Sequence, residues 1–363
     1  MVVLAGLPLS AHGDVGTPLL WAGMLHLVFG NAVIGVVEGL ILAWLFKLKK
    51  IRTVLVMIGA NYFSAWFGDL FLEGVVIGGY LHTDLNNGWR WFWIMAALTY
   101  FMTLALEWPF VAFCLRGSEG WWRKSLKGNF IVQTVSYVAL FGWYWAASGT
   151  SLYTKMKIVD PVELKLPENV AVYFISETNG DVYVWNGSSK RSERFFELRS
   201  TNENDSLTVK ESRSYVNSVD LVAALATPDF RSNKFVVLKE GFDGSGIIDD
   251  RTPEDADALG DASLARVQRL GNAEKSHWSF SEGFWAVEGL HGTNDLTGDS
   301  IYFAYETLFG QWVVRSATQL PDDKVIFQLG DNQICVADPN AKEVALLLRG
   351  RGPVVAMTAA GRK

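Results

Sequence analysis

Cysteine, basic charge and catalytic motifs are all scarce in this sequence. The 363 residues include only two cysteines, Cys114 and Cys335, too few for a disulfide-stabilised scaffold. The 32 Lys and Arg residues are outnumbered by 38 Asp and Glu residues, so nucleic acid is not an expected partner. No Gly-x-Ser-x-Gly elbow, EF-hand loop or phosphate loop occurs. The sequence therefore predicts no catalytic residues and no cofactor.

The charged residues are distributed unevenly along the chain. Residues 1–150 hold nine of the 32 basic and seven of the 38 acidic residues, but eleven of the 15 Trp. The remaining residues are far more polar, and their acidic side chains outnumber the basic ones. This division excludes a single soluble domain and a disordered chain. It indicates a membrane half followed by a water-facing half.

Four apolar runs are long enough to cross a bilayer, which takes about 20 residues. They lie at about 19–46, 53–79, 90–115 and 129–149. Lipid offers no partner to backbone polar groups, so each run is expected to be a helix. The sequence thus predicts a four-helix transmembrane domain over residues 14–150.

The distribution of Lys and Arg predicts the orientation of these spans. Positively charged loops face the cytoplasm, and the basic residues cluster in the first and third loops. These residues are Lys47, Lys49, Lys50, Arg52, Arg116, Arg123, Lys124 and Lys127. The N-terminus and everything after residue 150 are therefore expected outside the cytoplasm, in an integral protein of a bacterial inner membrane.

The first thirteen residues resemble the end of a secretory signal. Residues 2–9 are apolar, and Ser10 to Gly13 supply small residues before a cleavage point after Gly13. No basic segment precedes the apolar run, so an upstream start or a plain apolar tail is the alternative.

Ionisable and amide side chains lie inside the predicted spans, where each requires a partner or a purpose. Counted from the basic loops, one set shares a depth of about 13 Å at about 1.5 Å per residue. This intramembrane polar layer consists of Glu38, Asn61, Glu107, Gln133 and Ser136. Further out, we expect the pairs His26–Glu73 and Asn31–Asp69. The layer could hold the bundle together, or it could bind or relay a proton or cation; His26, Asp69 and Glu73 could alternatively ligate a metal.

The water-facing half is predicted to be β-rich. Residues 151–167 are interpreted as a tether, and residues 168–363 as an extracytoplasmic domain with one helix at 253–269. Short β-type runs recur from 170 to 357, with none predicted between 211 and 234 or between 240 and 300. The stretch from Lys324 to Met357 reads as four strands and resembles a β-propeller blade. A propeller-like and a sandwich-like domain are both compatible with this pattern.

Two hypotheses for function follow. The first is a non-enzymatic, membrane-anchored binding or assembly component whose outer β domain meets a protein or envelope partner. The second is proton- or cation-coupled transport through the polar layer. His277 and His291 are the weak candidates for a metal site in the outer domain, but their spacing matches no zinc motif.

Overall fold

The computed structural model describes residues 18–77, 83–212, 214–215, 219–226, 233–242, 267–270, 276–282, 289–307 and 310–357. The chain divides into two compact units: a helical unit, Met1–Gly149 with Thr307–Gly310, and a β-rich unit, Thr150–Glu306 with Gln311–Lys363. The predicted signal segment, residues 1–13, lies outside the described residues.

Long helices make up the helical unit. They are α1 Pro18–Leu25, a π-helical turn His26–Gly30, α2 Asn31–Phe46, α3 Lys50–Ile77, α4 Gly88–Leu115 and α5 Trp121–Ala147. Among the described residues, three helical segments are long and apolar enough to span a membrane: Trp21–Phe46, Gly88–Leu115 and Trp121–Ala147. The expectation of membrane helices is confirmed for these three. Helix α3 has 28 residues and is not among these three segments.

The outer surface of these helices is apolar. Trp44, Ile51 and Val138 are 77%, 79% and 68% exposed, and such side chains face water only at a large free-energy cost. The interior joins Leu42 of α2, Met57 and Ala60 of α3, Val111 of α4 and Val132 of α5. Apolar side chains thus lie both inside and outside the bundle, as in a protein whose solvent is lipid.

Two glycines bring α2 and α3 together. A Cβ added to Gly35 would lie 2.5 Å from Ile58 Cα, and one added to Gly39 would lie 2.5 Å from Val54 Cα. The two positions form a Gly-x-x-x-Gly motif, which permits close backbone contact between membrane helices. This close approach places Glu38, which precedes Gly39, against α3.

The β-rich unit contains short strands in several sheets. After a 3-10 turn at Ser148–Thr150 and α6 Leu152–Lys155, the strands are β1 Lys157–Ile158, β2 Val170–Ile175, β3 Val182–Asn186, β4 Arg191–Phe196, β5 Ser206–Glu211, β6 Val219–Ala226, β7 Asn233–Phe242, β8 Gln268–Arg269, β9 Trp278–Glu282, β10 Leu290–Asn294, β11 Ser300–Phe303, β12 Tyr305–Thr307, β13 Gly310–Trp312, β14 Val314–Gln319, β15 Val325–Leu329, β16 Gln333–Asp338, β17 Glu343–Arg349 and β18 Arg351–Met357. The expectation of a β-rich half is confirmed.

Sheet order links the end of this unit to its beginning. The sheets run β1-β17-β16-β15-β14-β8, β18-β2-β3-β4, β5-β6-β7, β11-β10-β9 and β12-β13. Strands β15, β16 and β17 form an antiparallel meander, as the predicted blade requires. Strand β18 departs from that prediction, because it pairs antiparallel with β2 in another sheet.

Alternation along β2 explains why its sheet is buried on both faces. Val170, Val172 and Phe174 pack with Ile326 and Val336 of the β14–β17 meander. Ile175, one residue further, packs instead with Leu207, Leu221 and neighbours in the sheet of β5, β6 and β7. Since successive side chains point to opposite faces of a strand, one apolar strand joins two hydrophobic cores.

Three expectations for this half need correction. Residues 151–167 are not a free tether, because β1 pairs parallel with β17 and Leu152, Met156 and Leu164 are buried. Most of the predicted helix 253–269 lies outside the described residues, and its last residues form β8 instead. Strands β6, β9 and β10 have no predicted counterpart. The alanines of β6 favour a helix in isolation, and pairing with β5 and β7 makes it a strand.

Candidate functional site in the helical unit

Glu38 of α2 lies at the centre of the helical unit and is fully buried. Asn61 of α3 donates from Nδ2 to Glu38 Oε2 at 2.7 Å, and Ser136 of α5 donates from Oγ to Glu38 Oε1 at 2.6 Å. The second Nδ2 proton of Asn61 is directed to the Met57 carbonyl at 3.1 Å. Both carboxyl oxygens of Glu38 therefore face neutral donors from two neighbouring helices.

Glu107 of α4 has an equivalent environment and is also fully buried. Ser64 Oγ of α3 lies 2.5 Å from Glu107 Oε1, and Gln133 Nε2 of α5 donates to Glu107 Oε2 at 2.5 Å. Among the described residues no Lys, Arg or His forms an ion pair with Glu38 or Glu107. The site thus contains two carboxyl groups surrounded by uncharged hydrogen-bonding groups.

The two carboxyl environments repeat one pattern. Each glutamate receives an amide from the next helix of its own hairpin: Asn61 is 23 residues after Glu38, and Gln133 is 26 residues after Glu107. Each receives its hydroxyl from the other hairpin, because Ser136 reaches Glu38 and Ser64 reaches Glu107. The hairpins α2–α3 and α4–α5 therefore supply the same set of groups to the site, one carboxyl, one amide and one hydroxyl each.

Ser64 is the residue of this site that sequence reasoning missed. The sequence does carry a signal for it, since Asn61 and Ser64 have the same three-residue spacing as Gln133 and Ser136. Counting depths within each span finds the amides, but only a comparison between hairpins finds this shared amide-x-x-Ser pattern. Ser64 Oγ also lies 3.1 Å from the backbone carbonyl of Asn61, one turn earlier in α3.

The predicted outer pairs are described only in part. His26 Nδ1 lies 2.6 Å from the Tyr144 hydroxyl of α5, a partner that the sequence did not indicate. Asn31 donates to the Leu27 carbonyl of its own helix at 3.2 Å. The side chains of Asp69 and Glu73 lie outside the described part of the chain, so both pairs stay predictions.

The two histidines proposed for a metal site in the β-rich unit are both exposed. His277 precedes β9, and His291 lies in β10 with its ring against Tyr302. No group of three or more His, Cys, Asp or Glu side chains suited to a metal ion occurs in the part of the chain that the structure describes.

Asp323 organises the loops beside β9. Its Oδ1 accepts hydrogen bonds from the Ser276 hydroxyl, from the His277 backbone N–H at 2.7 Å and from the Trp278 backbone N–H at 3.2 Å. Partial burial alone would raise the pKa of Asp323, but these bonds and one from Asn340 outweigh it and hold the pKa below its ordinary value. The arrangement is that of a structural anchor for adjoining loops.

No protein-family model matches the chain, and neither the curated proteins nor the solved structures contain a match to it. The fold and the site define a membrane protein with apolar helices and a β-rich region. The geometry of the site is therefore the basis for its function.

Proposed function

We propose that the helical unit binds a proton at the paired carboxyls Glu38 and Glu107 and that it couples this proton to movement of ions or solutes across the membrane. One observation carries the proposal: both carboxyls are fully buried, and every partner that the structure gives them is neutral. An unpaired charge in such surroundings costs several kcal/mol. Two adjacent carboxylates would in addition repel each other, so the pair is expected to hold a proton.

The hydroxyl of Ser64 supports a proton on Glu107. Its Oγ has two acceptors within reach, Glu107 Oε1 at 2.5 Å and the Asn61 carbonyl at 3.1 Å. A hydroxyl has one proton to donate. If that proton goes to the carbonyl, a protonated Glu107 can donate to Ser64 Oγ, and every group is satisfied.

The donor set favours a proton over a metal cation. Glu38 Oε1, Glu38 Oε2 and Glu107 Oε2 each accept a hydrogen bond from an N–H or O–H donor at 2.5–2.7 Å. Donor hydrogens directed at these oxygens would repel a cation placed among them, because cations coordinate oxygen lone pairs. A proton needs no such coordination shell.

In the topology that we propose, α3 is a fourth span and the basic loops face the cytoplasm. The buried side chains of α3 at Asn61 and Ser64 support a place inside the bundle, and the positive-inside rule supports the orientation. The β-rich unit after α5 then lies outside the cytoplasm of a bacterial cell. The face-to-face packing of its sheets favours the sandwich-like description.

Proton flux in proteoliposomes tests the coupling. We expect the double variant Glu38→Gln, Glu107→Gln to lose flux while it keeps its fold, because Gln reproduces the shape but cannot exchange a proton. Glu119→Gln is the matched control, since Glu119 is exposed in the α4–α5 loop. Unchanged flux in the double variant would remove the transport role.

Binding of a protein partner by the β-rich unit is the second candidate. Phe235 and Val237, on the outer face of β7, are 46% and 49% exposed, and in the described residues β7 pairs only with β6. A photocrosslinking residue at Val237 in full-length protein should capture one specific partner in intact cells. The same residue at exposed Thr293 should not; equal, diffuse labelling at both would count against this role.

A further inference from the structure

A cavity lies on the helical unit between the segment α1–α2 and helix α5. Its volume is about 400 Å³, within the range of about 300–1,000 Å³ found for small-molecule sites. Its lining is apolar, including Phe29, Ile34, Ala139 and Leu140, except at two side chains, His26 and Ser136. The cavity is therefore an apolar space with two polar points.

His26 is held so that its ring borders this cavity. Its Nδ1 is bonded to the Tyr144 hydroxyl at 2.6 Å, and its Nε2 has no hydrogen-bond partner among the described residues. The ring lies over Gly30, where an added Cβ would come 2.8 Å from His26 Cδ2. The orientation of the imidazole is thus determined by a hydroxyl on one side and a glycine on the other.

The cavity wall also contains an irregularity of the helix. Residues His26–Gly30 form the π-helical turn, and π-turns within α-helices occur frequently at functional sites. The turn is flanked by ordinary α-helix on both sides, and it contains no proline. The irregularity is therefore not explained by a proline, and it coincides with the polar end of the cavity.

The residues around the cavity indicate from where a bound molecule would enter it. Phe29 and Val33, which line the cavity, are 65% and 62% exposed, so the cavity opens on the outer surface of the helices, which faces lipid in the proposed topology. Ser136 already donates its proton to Glu38 and lies eight residues before Tyr144, about 12 Å along α5 at about 1.5 Å per residue. Between these two points the wall consists of Ala139, Leu140 and Trp143, which offer mainly apolar contacts.

We propose that this cavity binds one single-chain, lipid-soluble molecule with an oxygen head group, of the long-chain alcohol or phenol class. The head group bonds to His26 Nε2, and the chain lies along the apolar wall toward Ser136. This binding goes beyond the proposed proton site, because it requires neither Glu38 nor Glu107 to titrate.

Photolabelling tests this site with the full-length protein in phosphatidylcholine vesicles. The probe is hexadecanol carrying a diazirine in its chain, and labelled positions are located by mass spectrometry. We expect labels within residues 25–37 and 135–143, reduced by unlabelled hexadecanol but much less by hexadecane. Equal competition by the alcohol and the alkane would show an ordinary lipid groove and overturn the proposal.

Matched variants separate a built site from lipid contact. Ala139→Trp fills the cavity and should lower labelling at least five-fold, whereas Val138→Trp places the same side chain on a face that does not line the cavity and should leave it unchanged. His26→Phe should reduce the preference for alcohol over alkane about five-fold, the value expected for one hydrogen bond. Equal labelling of the two tryptophan variants would contradict the proposal.

Labelling of the cavity is expected to be independent of the proton site. The double variant Glu38→Gln, Glu107→Gln should be labelled like the wild type if the cavity works as proposed. If wild-type protein transports protons but shows no site-specific labelling, the lipid-site proposal is wrong and the proposed proton site is unaffected.

Discussion

Substituting Gly39 by alanine should separate α2 from α3 and weaken the carboxyl site. The new Cβ would lie 2.5 Å from Val54 Cα and 2.9 Å from Val54 N, both backbone atoms that cannot rotate away. An ordinary contact needs about 3.4 Å or more, so the helices must move apart by about 0.9 Å. The Asn61–Glu38 bond, 2.7 Å long, would then exceed the length of a hydrogen bond.

The expected destabilisation is about 1–3 kcal/mol, the usual effect of overpacking. Gly59→Ala is the matched control: it lies on α3, and no atom comes within 4 Å of its added Cβ. It should be neutral or stabilise by about 0.5–1 kcal/mol, because alanine favours helix more than glycine does. Reversible unfolding in mixed micelles measures both. Equal stability of the two variants would refute the close helix approach.

Further predictions concern the β-rich unit. Phe327→Ala should destabilise the meander by about 3–5 kcal/mol, because Phe327 is fully buried. The control Leu296→Ala should change stability by less than about 0.5 kcal/mol, because Leu296 is 71% exposed. Hydrogen exchange of β15 and β16 measures both effects. Asp323→Asn should weaken β9 at neutral pH. Since the folded pKa of Asp323 lies below its ordinary value of 3.8, its contribution is present above that pH and is lost as pH falls through the folded pKa. Exchange rates of β9 in wild type and variant should therefore converge in acid; a difference that persists or grows would contradict the anchoring role.

Much of the helical unit follows from composition. A bilayer requires long apolar helices and penalises buried polar groups, so Glu38, Asn61, Glu107, Gln133 and Ser136 can be selected from the sequence alone. Depth counted from the basic loops places them in one layer, and the structure brings all five into two hydrogen-bonded groups.

Residue contacts within that layer were harder to predict. Depth alone does not show which helices are neighbours, so Ser64 and the exchange of hydroxyls between hairpins were missed. His26, which contacts Tyr144, is the first residue of the π-helical turn, an irregularity that counting depths does not reveal.

The β-rich unit shows the limit of local patterns. Strands with alternating or continuous β-branched residues, such as β2 and β15, coincide with the predicted runs. Pairing between distant segments decides the rest: β18 joins β2, and β1 joins β17. Such non-local contacts leave no periodic mark in the sequence.

Infrared spectroscopy of glutamate-labelled protein in lipid bilayers tests the central claim most directly. At neutral pH we predict the C=O stretching band of a protonated, buried carboxylic acid, which is retained in Glu119→Gln and absent from Glu107→Gln. A wild-type spectrum containing only ionised carboxylate bands, or the same acid band in Glu107→Gln, would contradict a proton held on Glu107.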